Sequence, residues 1–110
     1  MSYDETLADR VRAVLARRRG ISEKKMFGGL AFLVNGHMAC GIIGDDLMIR
    51  VGPEGYEAAL AKAGARPMDF TGRPMKGLVY VGPRGYGRAP SLEAWVEKGV
   101  SYAKSLPPKA

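Results

Sequence analysis

Few groups in this chain have the chemistry for a reaction. Histidine occurs once, as His37, and cysteine once, as Cys40. A thiol nucleophile needs a neighbouring base, and His37 is the obvious partner. On a regular strand, side chains three positions apart lie on opposite faces, so the spacing predicts no Cys–His pair. A closed zinc site needs about four ligands, and with no other His or Cys no metal centre is expected. Cys40 reads instead as a small buried residue. Asp45 and Asp46 are adjacent carboxylates, but after Gly44 they have the composition of a turn. No catalytic residue and no cofactor is predicted, and the chain reads as non-enzymatic.

The remaining chemistry is cationic. Lys and Arg number 17 against 11 Asp and Glu, a formal net charge of +6, which suits either a polyanionic partner such as nucleic acid or a merely soluble surface. The run Gly82-Pro-Arg-Gly-Tyr-Gly-Arg88 lacks the G-x-x-x-x-G-K-[ST] pattern of a phosphate-cradling loop. It reads either as a plain connection or as a basic loop in which Arg84 and Arg88 grip phosphate and Tyr86 stacks on a base. Lys24, Lys25, Arg73 and Lys76 complete a candidate basic perimeter. Arg10, Arg12 and residues 17–19 form a further cluster, readable as a phosphate contact or as a solvated helix face.

Two turn signals position these groups. Asn35-Gly36 separates apolar runs at 30–34 and 38–43, and Gly44-Asp45-Asp46 separates the second from a third at 47–51. Asn-Gly favours a type I′ turn, which needs positive φ at both central residues. Residues 24–51 therefore read as an antiparallel meander, with a first strand at 25–27. Gly28-Gly29 marks a bulge, a bend or a close backbone approach, or else amides exposed to an anion beside Lys24 and Lys25.

Before the meander, Ser2 and Glu5 fit a capping box. Leu7, Val11, Val14 and Leu15 then recur at helical spacing, predicting a first helix over 3–19. After the meander, Tyr56, Ala59, Leu60 and Ala63 mark a second helix closed by Gly64. Residues 66–77 read as an extended loop with a short strand near 68–70, 78–81 as a late strand, and 82–90 as a loop. Ser91 is a good N-cap for a third helix reaching about Ser105. In that helix Trp95 reads as a core anchor and Gly99 as a point of close packing. Val51-Gly-Pro-Glu-Gly-Tyr56 and Val81-Gly-Pro-Arg-Gly-Tyr86 differ at one position, which predicts a shared strand-exit turn.

The expected class is α+β: an antiparallel sheet of about four to six strands with an N-terminal, a middle and a C-terminal helix. Leu30, Phe32 and Val34 fall on one face of the meander and Ala31 and Leu33 on the other. Either helices cover both faces or one face meets a second copy, so a homodimer is one expectation. The 110 residues, 46% hydrophobic and 25% charged, fit a single globular domain over 1–110 with a frayed tail at 106–110. No apolar run approaches the roughly 20 residues that span a bilayer, no secretory signal opens the chain, and a single cysteine fits a reducing compartment. A cytoplasmic location is expected.

Lys24-Lys25-Met26-Phe27-Gly28-Gly29 resembles the N-terminal domain family of the TfoX/Sxy competence regulators. The similarity continues through the strand at 30–34, the Asn35-Gly36 hairpin and the strand at 47–51. It resumes at Pro67-Met68-Asp69-Phe70, at Gly72-Arg73-Pro74-Met75 and at the Trp95 helix. The resemblance implies an α+β fold similar to the secretion-chaperone type. It also implies a regulatory or binding module that works through protein contacts and has no catalytic residues to carry over. Full-length competence regulators act in transcription of DNA-uptake genes and carry a second, C-terminal domain, for which 110 residues leave no room, so the resemblance leaves a role in competence open. Direct nucleic-acid binding through the basic loops is the alternative, and a small enzyme acting on a phosphate-containing substrate a more distant one.

Overall fold

Apolar side chains from every helix meet one face of the sheet, and the core lies between these two layers. The computed structural model describes residues 3–26, 28–68 and 77–107. Element order is α1 (Glu5–Leu15), β1 (Ile21–Met26), β2 (Gly29–Val34), β3 (His37–Ile43), β4 (Asp46–Arg50), α2 (Gly52–Leu60), β5 (Ala65–Pro67), β6 (Leu78–Val81), α3 (Pro83–Tyr86) and α4 (Ala89–Lys104). Six strands form one antiparallel sheet in the order β1-β2-β3-β4-β6-β5. This is the α+β class that the periodicities predict.

The meander forms where its turn chemistry places it. Asn35 and Gly36 both take positive φ, 52° and 86°, as a type I′ turn requires. Gly28 takes φ 74° in the β1–β2 turn, and a Cβ on Gly29 would stand 2.1 Å from the carbonyl oxygen of Ile42. The paired glycines thus mark a bend and a close backbone approach. Leu30, Phe32, Cys40, Ile42, Leu47, Ile49, Val79 and Val81 align across four strands on the helix-covered face, all buried. Leu7, Val11 and Leu15 of α1, Tyr56 and Ala59 of α2, Tyr86 of α3, and Leu92, Trp95, Val96 and Val100 of α4 close over them. Trp95 is the core anchor its size suggests.

Several boundaries differ from the expected ones, each for a physical reason. The first helix is shorter at both ends. Tyr3 bridges to Gly44 and the Asp4 amide donates to the Gly44 carbonyl at 2.7 Å, which holds Tyr3 out of the helix. Asp4 is the N-cap, its carboxylate accepting from the Thr6 and Leu7 amides, and Ser2 lies outside the described residues. At the other end the helix stops at Leu15, so residues 17–19 follow it in the connection to β1.

The first strand starts earlier, at Ile21. It is an edge strand, and its charged residues suit an edge; Glu23 there accepts from Arg12 through both oxygens at 2.8 Å, tying β1 to α1. Asp46 is a strand residue opposite Ile43 rather than part of the turn, and it pairs with Arg66. The second helix spans Gly52–Leu60, and Gly64 (φ 80°) lies beyond it in the turn to β5. The short strand is Ala65–Pro67, set by pairing with β6; of the expected 68–70, only Met68 is described, buried and outside a strand. The stretch 82–90 contains the single-turn helix α3. α4 begins before Ser91, with Arg88 at the N-cap position and Pro90 in its first turn, where a fixed φ is pre-organised for helix. The twin V-G-P-x-G-Y runs both lead from a strand into a helix and both tyrosines end up buried, but the turn is not shared, since Gly52 takes φ 80° and Gly82 φ −81°. Among the described residues no helix is long and apolar enough to cross a membrane.

Candidate functional site

His37 and Cys40 lie on the same face of β3, contrary to simple alternation. The register shifts between Phe32 and Leu33: Phe32 pairs with Cys40, but Leu33 pairs with Met38. Ala39 is thus an extra residue on β3, and a β-bulge of this kind resets the side-chain phase. The bulge does not make a catalytic pair. Cys40 is fully buried, and burial alone pushes its thiol up to about 12. His37 Nε2 donates to the Pro107 carbonyl at 2.5 Å, so its ring is engaged with the segment after α4. A reactive cysteine needs a depressed pKa and access, and Cys40 has the reverse of both.

The predicted basic residues do not converge. Lys24 and Lys25 are exposed on the edge strand β1, one to each face of the sheet, opposite Ala31 and Leu30. Arg84 and Arg88 are exposed on and just after α3, which follows β6. β1 and β6 are separated by β2, β3 and β4, four strand spacings or about 19 Å. Arg73 and Lys76 lie outside the described residues.

Tyr86, expected to stand free for stacking, is instead 5% exposed. Its hydroxyl donates to the Asp45 carbonyl at 2.6 Å. Arg10 donates to the Tyr86 and Gly87 carbonyls, both at 3.1 Å, and lies 5.9 Å from the ring centroid. Burial and the nearby Asp45 carboxylate hold the phenol above its ordinary pKa. Tyr86 therefore locks α3 against α1 and the β3–β4 turn, because an apolar ring with one polar atom packs well wherever that atom finds an acceptor.

A concavity lies elsewhere, between α2 and α4. It has a volume of about 880 Å³, within the range of ligand and peptide sites. Gly55 and Ala58 of α2 face Ala94 and Ser101 of α4, with Glu54, Lys62, Glu97 and Lys98 around them and Tyr102 at one end. Arg50 sits 5.3 Å from the Tyr102 ring centroid. A smaller cavity of about 280 Å³ adjoins it and shares Lys62, Ala94 and Lys98; Arg84 and Trp95 line it further on. Among the described residues, Arg84 is thus the one predicted basic residue that borders this depression. The α4 residues of the groove recur at 94, 97, 98, 101 and 105, a helical face of small and charged side chains. From the sequence that face has no assigned role, because its pairing with α2 depends on the tertiary fold.

The family model of the TfoX N-terminal domain matches residues 13–103. No curated protein and no solved structure matches the chain. The matched span takes in the last three residues of α1, the whole meander, α2 and nearly all of α4, so the chain belongs to the TfoX N-terminal domain family, a family of regulatory domains.

Proposed function

We propose that this regulatory module acts by binding another protein through the groove between α2 and α4. The charge balance of the groove carries the reading. Two carboxylates, Glu54 and Glu97, and two ammonium groups, Lys62 and Lys98, share one lining, and Glu97 also pairs with Arg18. A polyanion gains little net attraction there, whereas a polypeptide segment offers both signs and can place them in register. Small residues on both walls let a partner backbone approach closely. The engagement of His37 and the burial of Cys40 support a non-enzymatic role. Direct nucleic-acid binding is the second reading, favoured by Arg84 and Arg88, which are exposed and have no ion-pair partner among the described residues.

Affinity capture with the wild-type chain and two variants tests the choice. The expected outcome is a captured protein that is lost with Ala94→Arg, which fills the groove, and kept with Arg84→Gln/Arg88→Gln. Fluorescence anisotropy with duplex DNA and single-stranded RNA between about 50 and 200 mM salt is the counter-test, since counterion release makes phosphate binding fall steeply with salt. Micromolar binding at low salt that disappears in Arg84→Gln/Arg88→Gln would overturn the protein-contact reading in favour of the second.

A further inference from the structure

A second concavity, away from the groove, has a different character. It lies where the chain leaves α1, at the β2–β3 turn and the end of α4, and measures about 440 Å³. Four cations line it: Arg17, Arg18, Arg19 and Lys104. Arg17, Arg19 and Lys104 are exposed and have no ion-pair partner among the described residues. Arg18 pairs with Glu97. The wall beneath the cations is apolar, formed by the buried Val34 and Val100.

The charges can be counted. Glu97 offsets one cation. The C-terminal ends of α1 and α4 each contribute about half a negative charge, which offsets about one more. About two positive charges remain on one small cavity. A phosphate monoester carries about −1.5 to −2 at pH 7 and three acceptor oxygens. Arginine is also the side chain whose planar fork best matches phosphate oxygens.

The geometry points to a binding site for a small organic phosphate, its phosphoryl group held by Arg17, Arg18, Arg19 and Lys104 and its body laid on Val34 and Val100. The cations converge on one concavity, whereas a nucleic-acid surface spreads them along a groove that tracks several nucleotides. Arg17, Arg19 and Lys104 take no part in the α2–α4 groove; the two sites meet only at Glu97, which lines that groove and pairs with Arg18.

Titration of the full chain with ADP and with pyrophosphate, followed by amide and arginine Nε–H NMR shifts at about 50 mM salt, tests it. The expected result is saturable one-to-one binding with Kd below about 1 mM and shifts confined to residues around 17–21, 34–35 and 100–104. Arg17→Gln/Arg19→Gln should weaken binding by about tenfold or more, the effect of losing charge-assisted hydrogen bonds. Lys104→Gln should weaken it in the same direction, a second variant in case the first disturbs the fold. Arg84→Gln/Arg88→Gln should leave it unchanged. Absence of saturation up to about 10 mM would overturn the assignment, as would equal loss in Arg84→Gln/Arg88→Gln. Single-stranded RNA binding that is tighter than ADP binding and lost in Arg17→Gln/Arg19→Gln would make the corner a nucleic-acid contact and overturn it too.

Discussion

Cys40 has no exposed surface, and burial pushes its thiol from the ordinary 9.0 to about 12. The native state therefore keeps this proton at pH values where the unfolded chain loses it. The preference for the neutral thiol is fully expressed below pH 9 and is lost progressively as pH rises from about 9 toward 12. Each pH unit within that window costs about 1.4 kcal/mol of stability. Urea denaturation at pH 8 and pH 10.5 should show that loss in the wild type. Cys40→Ala should reduce the difference by about 2 kcal/mol, even though the truncation lowers stability at both pH values. Equal pH dependence in the two proteins would show that Cys40 is not held in so apolar a site.

At the scale of elements, α4 and β3 meet at one point of very close approach. A Cβ on Gly99 would stand 2.2 Å from the Ala39 carbonyl oxygen and 3.0 Å from its carbon. Ala39 is the bulge residue, so the bulge and the helix glycine lie in direct contact. Gly99→Ala gains about 1 kcal/mol of helix propensity. It then forces backbone against backbone, and overpacking of a rigid contact costs about 1–3 kcal/mol or more. The clash is with a carbonyl that cannot rotate away, so the net effect should be destabilising by about 1–2 kcal/mol, read as a lower urea midpoint with unchanged slope. A stabilised variant would mean that α4 can lift from the sheet without cost. Most other element boundaries follow from the same kind of competition. Tyr3 leaves α1 for a bridge to Gly44, and Ala65–Pro67 is a strand because β6 is beside it.

For the whole molecule, all four helices share one core on one side of the sheet. On the other side, Ala31 and Met48 are fully buried, while Leu33, Met38, Ile43 and Leu78 are only half-buried. Asp46 and Arg66 form an ion pair at 2.5 Å on that side, with Arg66 4.9 Å from the Tyr80 ring centroid. An apolar patch rimmed by charges suits an isologous contact, and we carry a homodimer through this face forward as a proposal. Light scattering at ~0.1 mM, where a weak dimer is populated by mass action, should give twice the 11.8 kDa of the chain. Leu33→Glu/Ile43→Glu should return it to one chain mass. A single-chain mass for the wild type at that concentration would sink the dimer.

The order of elements and the position of the sheet were decided by local sequence. Asn35-Gly36 forces its turn because only such residues accept positive φ cheaply, and the spacing of Leu7, Val11 and Leu15, or of Leu92, Trp95, Val96 and Val100, admits one buried helix face. The late strand at 78–81 was legible to the residue because β-branched and aromatic residues alternate there between two turn signals. Tertiary structure decided what depends on a partner distant in sequence. The bulge at Ala39 puts His37 and Cys40 on one face, and strand alternation alone has no way to announce it. The Asp45 carbonyl and Arg10 capture Tyr86, turning an expected stacking ring into a clamp. The grooves were invisible for the same reason: the polar face of α4 has no assigned role until α2 is laid beside it, and Arg17, Arg18, Arg19 and Lys104, some 85 residues apart along the chain, share a cavity only because α1 and α4 end at the same corner of the molecule.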